Sequence, residues 1–331
     1  MSALLETQLA KEQEQIAALR AAIGRAVVGQ AEVVEQLLVG LFAGGHCLLE
    51  GVPGLGKTLL VRALGQALHL SFRRVQFTPD LMPSDLIGTE ILEEDHGTGK
   101  RYFQFQQGPV FTHLLLADEL NRTPPKTQSA LLEAMQEGTV SYAGTTHELP
   151  RPFFVLATQN PIEQAGTYPL PEAQLDRFLL NIMVDYPSAE EELQIITATT
   201  GTQRQQVPQV LDAEAVLALQ ARVRELHISE HLLRWIARLL RATRPGPDAP
   251  QAVRDYVQWG VGPRAGQALV LCAKARALLH GRLAATRTDI EAIALPVMRH
   301  RLLLNYRAEA EGKRVTDLIA ALLQAVPCDA E

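Results

Sequence analysis

Cysteine is scarce in this chain. Cys47, Cys272 and Cys328 lie far apart, too few for a disulfide framework, and no Cys-x-x-Cys pair or histidine cluster offers a zinc site. So few thiols fit a reducing compartment. No apolar run reaches the length of a membrane span. Residues 1–20 alternate charged and apolar side chains without the apolar centre of a secretion signal. The chain is therefore expected in the cytoplasm. A basic excess is missing too. With 31 Lys plus Arg against 37 Asp plus Glu the net charge is -6, which speaks against a bulk nucleic-acid binder. What is present is ordinary globular composition, 47% hydrophobic, over 331 residues, more than one core usually holds. Two domains are expected.

Hydrophobic periodicity divides the chain near residue 187. Before it, apolar runs alternate with helical stretches. Helices are predicted over 4–22, 31–41, 58–68 and 127–136, and strands over 46–50, 72–77, 113–117, 153–158 and 178–184. That alternation implies an α/β fold, a parallel sheet with helices on both faces. Two segments read as hairpins, 90–94 with 101–107 around Asp95-His96-Gly97-Thr98-Gly99, and 139–142 with 146–149 around Ala143-Gly144-Thr145. Residues 188–331 read as an all-α unit, with helices over 211–226, 230–243, 263–279, 287–300 and 314–325.

The first predicted strand runs into Gly51-Val52-Pro53-Gly54-Leu55-Gly56-Lys57-Thr58, and a helix follows. Glycines let successive backbone N–H groups curl inward around phosphate oxygens, and the helix start adds its positive end. Lys57 is placed to reach the terminal phosphates of ATP, and the Thr58 hydroxyl to ligate Mg²⁺. A Gly-rich turn before an ordinary helix would look similar, but the strand–loop–helix context favours nucleotide binding. A second acidic element, Asp118-Glu119, ends the apolar run 113–117. Strand ends are where open α/β sheets bind ligands. Asp118 suits the metal's water shell. Glu119 suits the attacking water. Alone, the pair would read equally well as a solvated acidic turn.

These residues resemble an AAA+ ATPase, and more narrowly the MoxR family. The resemblance is dense from residue 28 to 184. It rests on Val28-Gly29-Gln30, the loop 51–58, Gln76-Phe77-Thr78-Pro79-Asp80-Leu81-Met82-Pro83-Ser84-Asp85 and Gly108-Pro109-Val110-Phe111. It continues through Asp118-Glu119-Leu120-Asn121-Arg122, residues 128–135, Ala157-Thr158-Gln159-Asn160-Pro161 and residues 166–178. The C-terminal third matches more loosely, at Gly262-Pro263-Arg264-Ala265 and His300-Arg301. Leu120 stands where the family commonly has Ile, an apolar exchange.

The resemblance implies an AAA+ core over 1–187 and a helical lid over 188–331. It implies roles residue by residue. Asn160 matches sensor 1, although Asn before Pro is also a common turn former. Arg177 matches the arginine finger that enters a neighbour's ATP site. The alternative is an ion pair with Asp176 or Glu172. Arg122 is a second candidate for a contact in trans. Arg264 matches sensor 2, against the alternative of a solvated arginine. Val28, Gly29 and Gln30 lie where such proteins contact adenine. The hairpins take the place of elements that protrude toward a ring's pore. Tyr102, Phe103 and Phe105 either grip a partner chain there or pack on the core.

The expectation is thus an ATP hydrolase, cycling ATP to ADP with Mg²⁺ in a homo-oligomer, a hexameric ring, that remodels or matures a partner protein. The resemblance points to a von Willebrand factor A domain protein and its client as partners. A nucleic-acid-translocating motor is the rival reading, opposed by the acidic balance. A nucleotide-dependent binding module is a second, opposed by Asp118-Glu119.

Overall fold

The computed structural model describes residues 2–52, 54–94, 99, 101–160, 166–200 and 206–328. Two helices lead, α1 (Ser2–Ala26) and α2 (Ala31–Phe42), followed by β1 (Cys47–Glu50), α3 (Lys57–Ala67) and β2 (Phe72–Gln76). A short α4 (Pro83–Ile87) opens the hairpin β3 (Gly88–Glu94) and β4 (Arg101–Gln107). Then come β5 (Leu114–Asp118), α5 (Pro125–Glu137) and the hairpin β6 (Thr139–Tyr142) and β7 (Thr145–Glu148). Strand β8 (Phe154–Gln159), α6 (Glu172–Leu175) and β9 (Leu180–Met183) complete the α/β part.

The five long strands form one parallel sheet in the order β2-β5-β8-β1-β9. Side chains alternate between its faces, as the pleat requires. Leu48, Leu115, Ala117, Val155 and Ala157 pack with α5 residues Leu131, Leu132 and Met135. Cys47, Leu49, Leu114, Leu116 and Leu156 pack on the other face with α2 and α3. Strands buried on both faces read as continuous apolar runs, which is why they were visible in the sequence. β2 is an edge strand. Only Val75 of its five residues is buried, and Arg73, Arg74 and Gln76 are exposed, the charged pattern that keeps an edge from pairing with another chain.

Register lines up the strand ends. Gln76 lies opposite Asp118, Ala117 opposite Ala157, and Glu50 opposite Gln159. The residues that follow β1 and β8, and those that end β2 and β5, therefore meet along one rim.

The remainder is helical: α7 (Ala189–Thr200), α8 (Ala213–Glu225), α9 (Glu230–Ala242) and α10 (Gln251–Tyr256). Then follow β10 (Val257–Trp259), α11 (Pro263–Leu279), α12 (Arg287–Met298), β11 (Leu303–Leu304), α13 (Tyr306–Ala310) and α14 (Val315–Ala325). Side chains cap several of these helices. Asp212 accepts from the Ala215 N–H at 2.9 Å, and Ser229 from the Leu232 N–H at 3.3 Å. Thr286 and Asp289 form a capping box at α12. The antiparallel ribbon β10–β11 is absent from the sequence expectation of an all-α unit. Its strands are too short to show a period of two.

One apolar cluster runs from α1 and α2 through the α3 face of the sheet into α8, α9, α11, α12 and α14. His300 and Arg301, just beyond α12, join the helical part to the residues before β9. His300 is buried, and its Nε2 donates to the Phe178 carbonyl at 3.1 Å. Its Nδ1 is buried without a partner, so a second proton there would be stranded. Burial, reinforced by the neighbouring Arg301, pulls its pKa from 6.5 down to about 3.

That shift has a defined sign. Below the ordinary histidine value the unfolded chain takes up a proton that the native chain refuses. The contribution of neutral His300 is complete above pH 6.5 and is lost as pH falls toward 3. At pH 5 the loss is about 2 kcal/mol. Urea unfolding at pH 7.5 and pH 5 should show it, and His300→Gln should remove that part of the difference. An unchanged difference in the variant contradicts the assignment.

Candidate active site

The loop after β1 is shaped by two kinds of glycine. Gly54 and Gly56 have φ of +87° and +73°, and a Cβ on either would meet nothing within 4 Å. Backbone conformation, not space, requires glycine there. At Gly51 the reason is close approach, since a Cβ would come within 2.4 Å of the Val184 carbonyl oxygen at the end of β9. Lys57 opens α3, and its Nζ donates to the Gly51 carbonyl at 2.6 Å. The ammonium thus arches over the loop. Burial pulls its pKa down, while the charges of Asp118 and Glu119 act in the opposite sense. All three groups share one electrostatic site. Thr58 follows on the first turn of α3. Pro53 lies outside the described residues.

Val28, Gly29 and Gln30 lie beside this loop. Gly29 and Gln30 both take left-handed backbone conformations, with φ of +70° and +55°. The Gln30 side-chain N–H₂ donates to the Leu55 carbonyl at 3.0 Å, tying the turn to the loop. Its Oε1 is buried without a protein partner. Gly29 faces elsewhere, since a Cβ there would strike the carboxylate of Glu191 at 2.6 Å. A cleft of about 1910 Å³ opens here. Val28, Gln30, Gly54, Leu55 and Gly56 line it on one side, and Tyr186, Pro187 and Ile195 also border it. Tyr186 is 75% exposed, an available aromatic face.

Asp118 ends β5. Its Oδ1 accepts from the Thr158 hydroxyl at 2.6 Å. Its Oδ2 accepts from Arg74 at 2.6 and 3.1 Å. Glu119 sits in left-handed backbone at φ +57°, uncommon for a residue with a Cβ and a form of strain that clusters at functional sites. Its backbone N–H donates to Thr158 Oγ1 at 2.9 Å. One buried hydroxyl therefore holds both acids. The Glu119 carboxylate accepts from the Gln76 amide at 2.6 Å and pairs with Arg122 at 3.1 Å. Arg122, read as a candidate for a contact in trans, is engaged here within its own chain. Asn160 follows β8 and is buried beside this group.

Arg74, Gln76 and Thr158 are the functional partners that single-sequence reading missed. Gln76 and Thr158 fall within segments that carry the family resemblance, where no role attaches to them. Arg74 carried no signal beyond its place on an edge strand.

Arg264 reaches Asp176, the residue that precedes Arg177 in the chain. The Arg177 guanidinium has no partner among the described residues, so the ion pair with Asp176 or Glu172 does not form. Asp176 is taken instead by Arg301 at 2.7 Å and Arg264 at 3.4 Å. Arg264, at the start of α11, is half exposed and does not line the cleft.

The hairpin aromatics divide by side. Phe105 stacks on His147 with ring centroids 4.3 Å apart, and also meets Phe111 and Tyr142. It packs the two hairpins together. Phe103 is 70% and Tyr102 46% exposed. Residues 95–98 of the connecting turn lie outside the described residues.

The donor set fits Mg²⁺–nucleotide. No group of three His, Cys, Asp or Glu poised for a metal occurs among the described residues. Mg²⁺ bound with a triphosphate needs only one or two protein ligands, and Thr58 and Asp118 provide that number. Among the described residues no helix is long and apolar enough to cross a membrane.

A phosphate loop on a five-stranded parallel sheet, an acidic pair two strands away and a helical lid define an AAA ATPase. The family model described as "ATPase family associated with various cellular activities (AAA)" matches residues 46–180, and an AAA lid domain model matches 249–322. The chain belongs to the MoxR family of AAA+ ATPases. It is 44% identical to Chaperone MoxR1 of Mycobacterium tuberculosis over 305 residues, 92% of this chain and 80% of that protein. It is 34% identical to Protein MoxR of Paracoccus denitrificans over 94% of this chain and 95% of that one. A crystal structure of a candidate ATPase from Cytophaga hutchinsonii superposes with a TM-score of 0.91 at 43% identity, covering 98% of this chain and 97% of that chain.

Proposed function

We propose that this chain hydrolyses ATP in a ring of identical copies and spends the resulting conformational change on remodelling a partner protein. The observation that carries the hydrolytic part is the double clamp of Thr158 on Asp118 and on the backbone of Glu119, within the field felt by Lys57. Lys57 and the loop N–H groups hold the phosphates. Thr58 and Asp118 would hold Mg²⁺, the latter through water, and the ion would supply positive charge beside the phosphates. Glu119, released from Gln76 and Arg122, orients and deprotonates the attacking water. Asn160 steadies that water from the next strand. Val28 and Gln30 line the cleft where the base is accommodated, and the unpartnered Gln30 Oε1 suits an amino donor.

Arg177 supports the ring. A guanidinium without a partner among the described residues suits a site in another copy, where it stabilises charge on the transferred phosphoryl group. Arg264, bound to Asp176, reports the state of a nucleotide to the helical part. The name of the M. tuberculosis relative, Chaperone MoxR1, supports remodelling as the work done. A von Willebrand factor A domain protein is the partner class proposed from the family resemblance. The exposed Tyr102 and Phe103 suit contact with the client.

Mixing tests the shared site. Arg177→Ala and Glu119→Gln proteins should each turn over slowly, and equal mixing with subunit exchange should restore part of the native rate. In a mixed interface the Arg177→Ala copy supplies Glu119 and its neighbour supplies Arg177. No recovery under demonstrated exchange contradicts a shared site.

A further inference from the structure

Asp176 precedes Arg177 and is bound from the C-terminal half. The Arg301 side chain is only 3% exposed, and its Nε donates to Asp176 Oδ1 at 2.7 Å. Its remaining nitrogens donate to main-chain carbonyls on both sides of Arg177. These are Asp176 O at 3.3 Å, Phe178 O at 2.6 Å and Leu179 O at 3.2 Å. His300 donates to the same Phe178 carbonyl. Arg264 reaches the other carboxylate oxygen of Asp176 at 3.4 Å, from a half-exposed position.

The Arg177 guanidinium has no partner among the described residues, while main-chain carbonyls on either side of it are held by Arg301. Helix α6, which ends two residues before Arg177, spans Glu172–Leu175. A single turn of helix does not hold its own orientation. The fork of Arg301 supplies what the helix lacks. A planar guanidinium spends its donors in fixed directions, and a buried one requires its carboxylate. The direction of Arg177 is thus set from residues 300–301, which follow α12, and not from the sheet alone.

We propose that Asp176 and Arg301 form a positioning pair that aims Arg177, so that the helical C-terminal half determines how this arginine is presented to a neighbouring copy. A shift of α12 against the sheet is then transmitted to the neighbour's site through Arg301, Asp176 and the backbone of Arg177. This rests on the reading that Arg177 serves a site in trans.

The test uses full-length protein and four variants: Asp176→Asn, Arg301→Lys, Arg177→Ala and Glu119→Gln. Asn keeps the shape of Asp176 and removes its charge. Lys keeps the charge of Arg301 and gives up the fork. Each should lower kcat about tenfold or more, the scale of a misplaced catalytic group, with KM for ATP within about twofold. Each defect should be partly relieved by mixing with Glu119→Gln protein, as for Arg177→Ala, because the defect lies in what the copy offers its neighbour. A purely structural role would give a loss that mixing leaves unchanged. If Arg177→Ala is relieved and Asp176→Asn and Arg301→Lys are not, or if both retain native turnover, the positioning pair is overturned while the shared site stands. If Arg177→Ala is not relieved either, the shared site falls and this proposal with it. Thermal melting shows whether each variant folds. Should Asp176→Asn lose its transition, Arg301→Lys decides.

Discussion

Glu119→Gln protein should bind ATP as tightly as the native chain and release phosphate at about a hundredth of its rate or less. The substitution keeps the size of the side chain and removes its capacity to take a proton. The neighbours of Glu119 all remain. Its N–H stays on Thr158, and the Gln76 amide at 2.6 Å and the Arg122 guanidinium at 3.1 Å both find the oxygen of the new amide. Among the described residues the loop that grips phosphate makes no hydrogen bond to this carboxylate, so the grip on the phosphates remains. A fluorescent-nucleotide titration and a single-turnover phosphate assay separate the two quantities. Native phosphate release from the variant would mean that another group activates the water.

Lys57→Ala should lower ATP affinity about a hundredfold or more, equivalent to about 3 kcal/mol, with little change in the folded structure. Lys57 opens α3, and its Nζ meets the Gly51 carbonyl at 2.6 Å. The side chain is only half buried, and water can replace it at Gly51. Loss of the ammonium therefore acts on the triphosphate and not on the sheet. Calorimetric titration with ATP and a thermal melt of the same sample measure both effects. Retained affinity would remove the loop from the site.

The strands of this protein were legible because burial on both faces leaves unbroken apolar runs, such as Leu114-Leu115-Leu116-Ala117. The phosphate loop was legible because glycines at fixed spacing are required by positive φ and by close approach. Helices α9 and α11 were legible as helical stretches over 230–243 and 263–279. What stayed hidden depends on neighbours brought from elsewhere in the chain. Arg74 meets Asp118, and Gln76 meets Glu119, because β2 pairs with β5 in one particular register. Nothing local to Arg74 carries that information. Thr158 looks like any β-branched strand residue until β8 is laid beside β5.

The hairpin aromatics show the same limit. Tyr102, Phe103 and Phe105 are nearly adjacent, and only the packing of the second hairpin decides that Phe105 is covered by His147 while the others are exposed. Asp176 is a further case. In sequence it is the obvious partner for Arg177, yet Arg301, 125 residues away, claims it. Distance along the chain hid the pairing, and burial enforces it.

The central claim is that one copy holds ATP and its acids while another completes the site with Arg177. ATP turnover per chain, measured against chain concentration alongside the particle mass, tests this directly. Turnover per chain should rise as copies assemble and fall toward the Arg177→Ala rate when dilution leaves single chains. Full turnover per chain from particles of single-chain mass would contradict it.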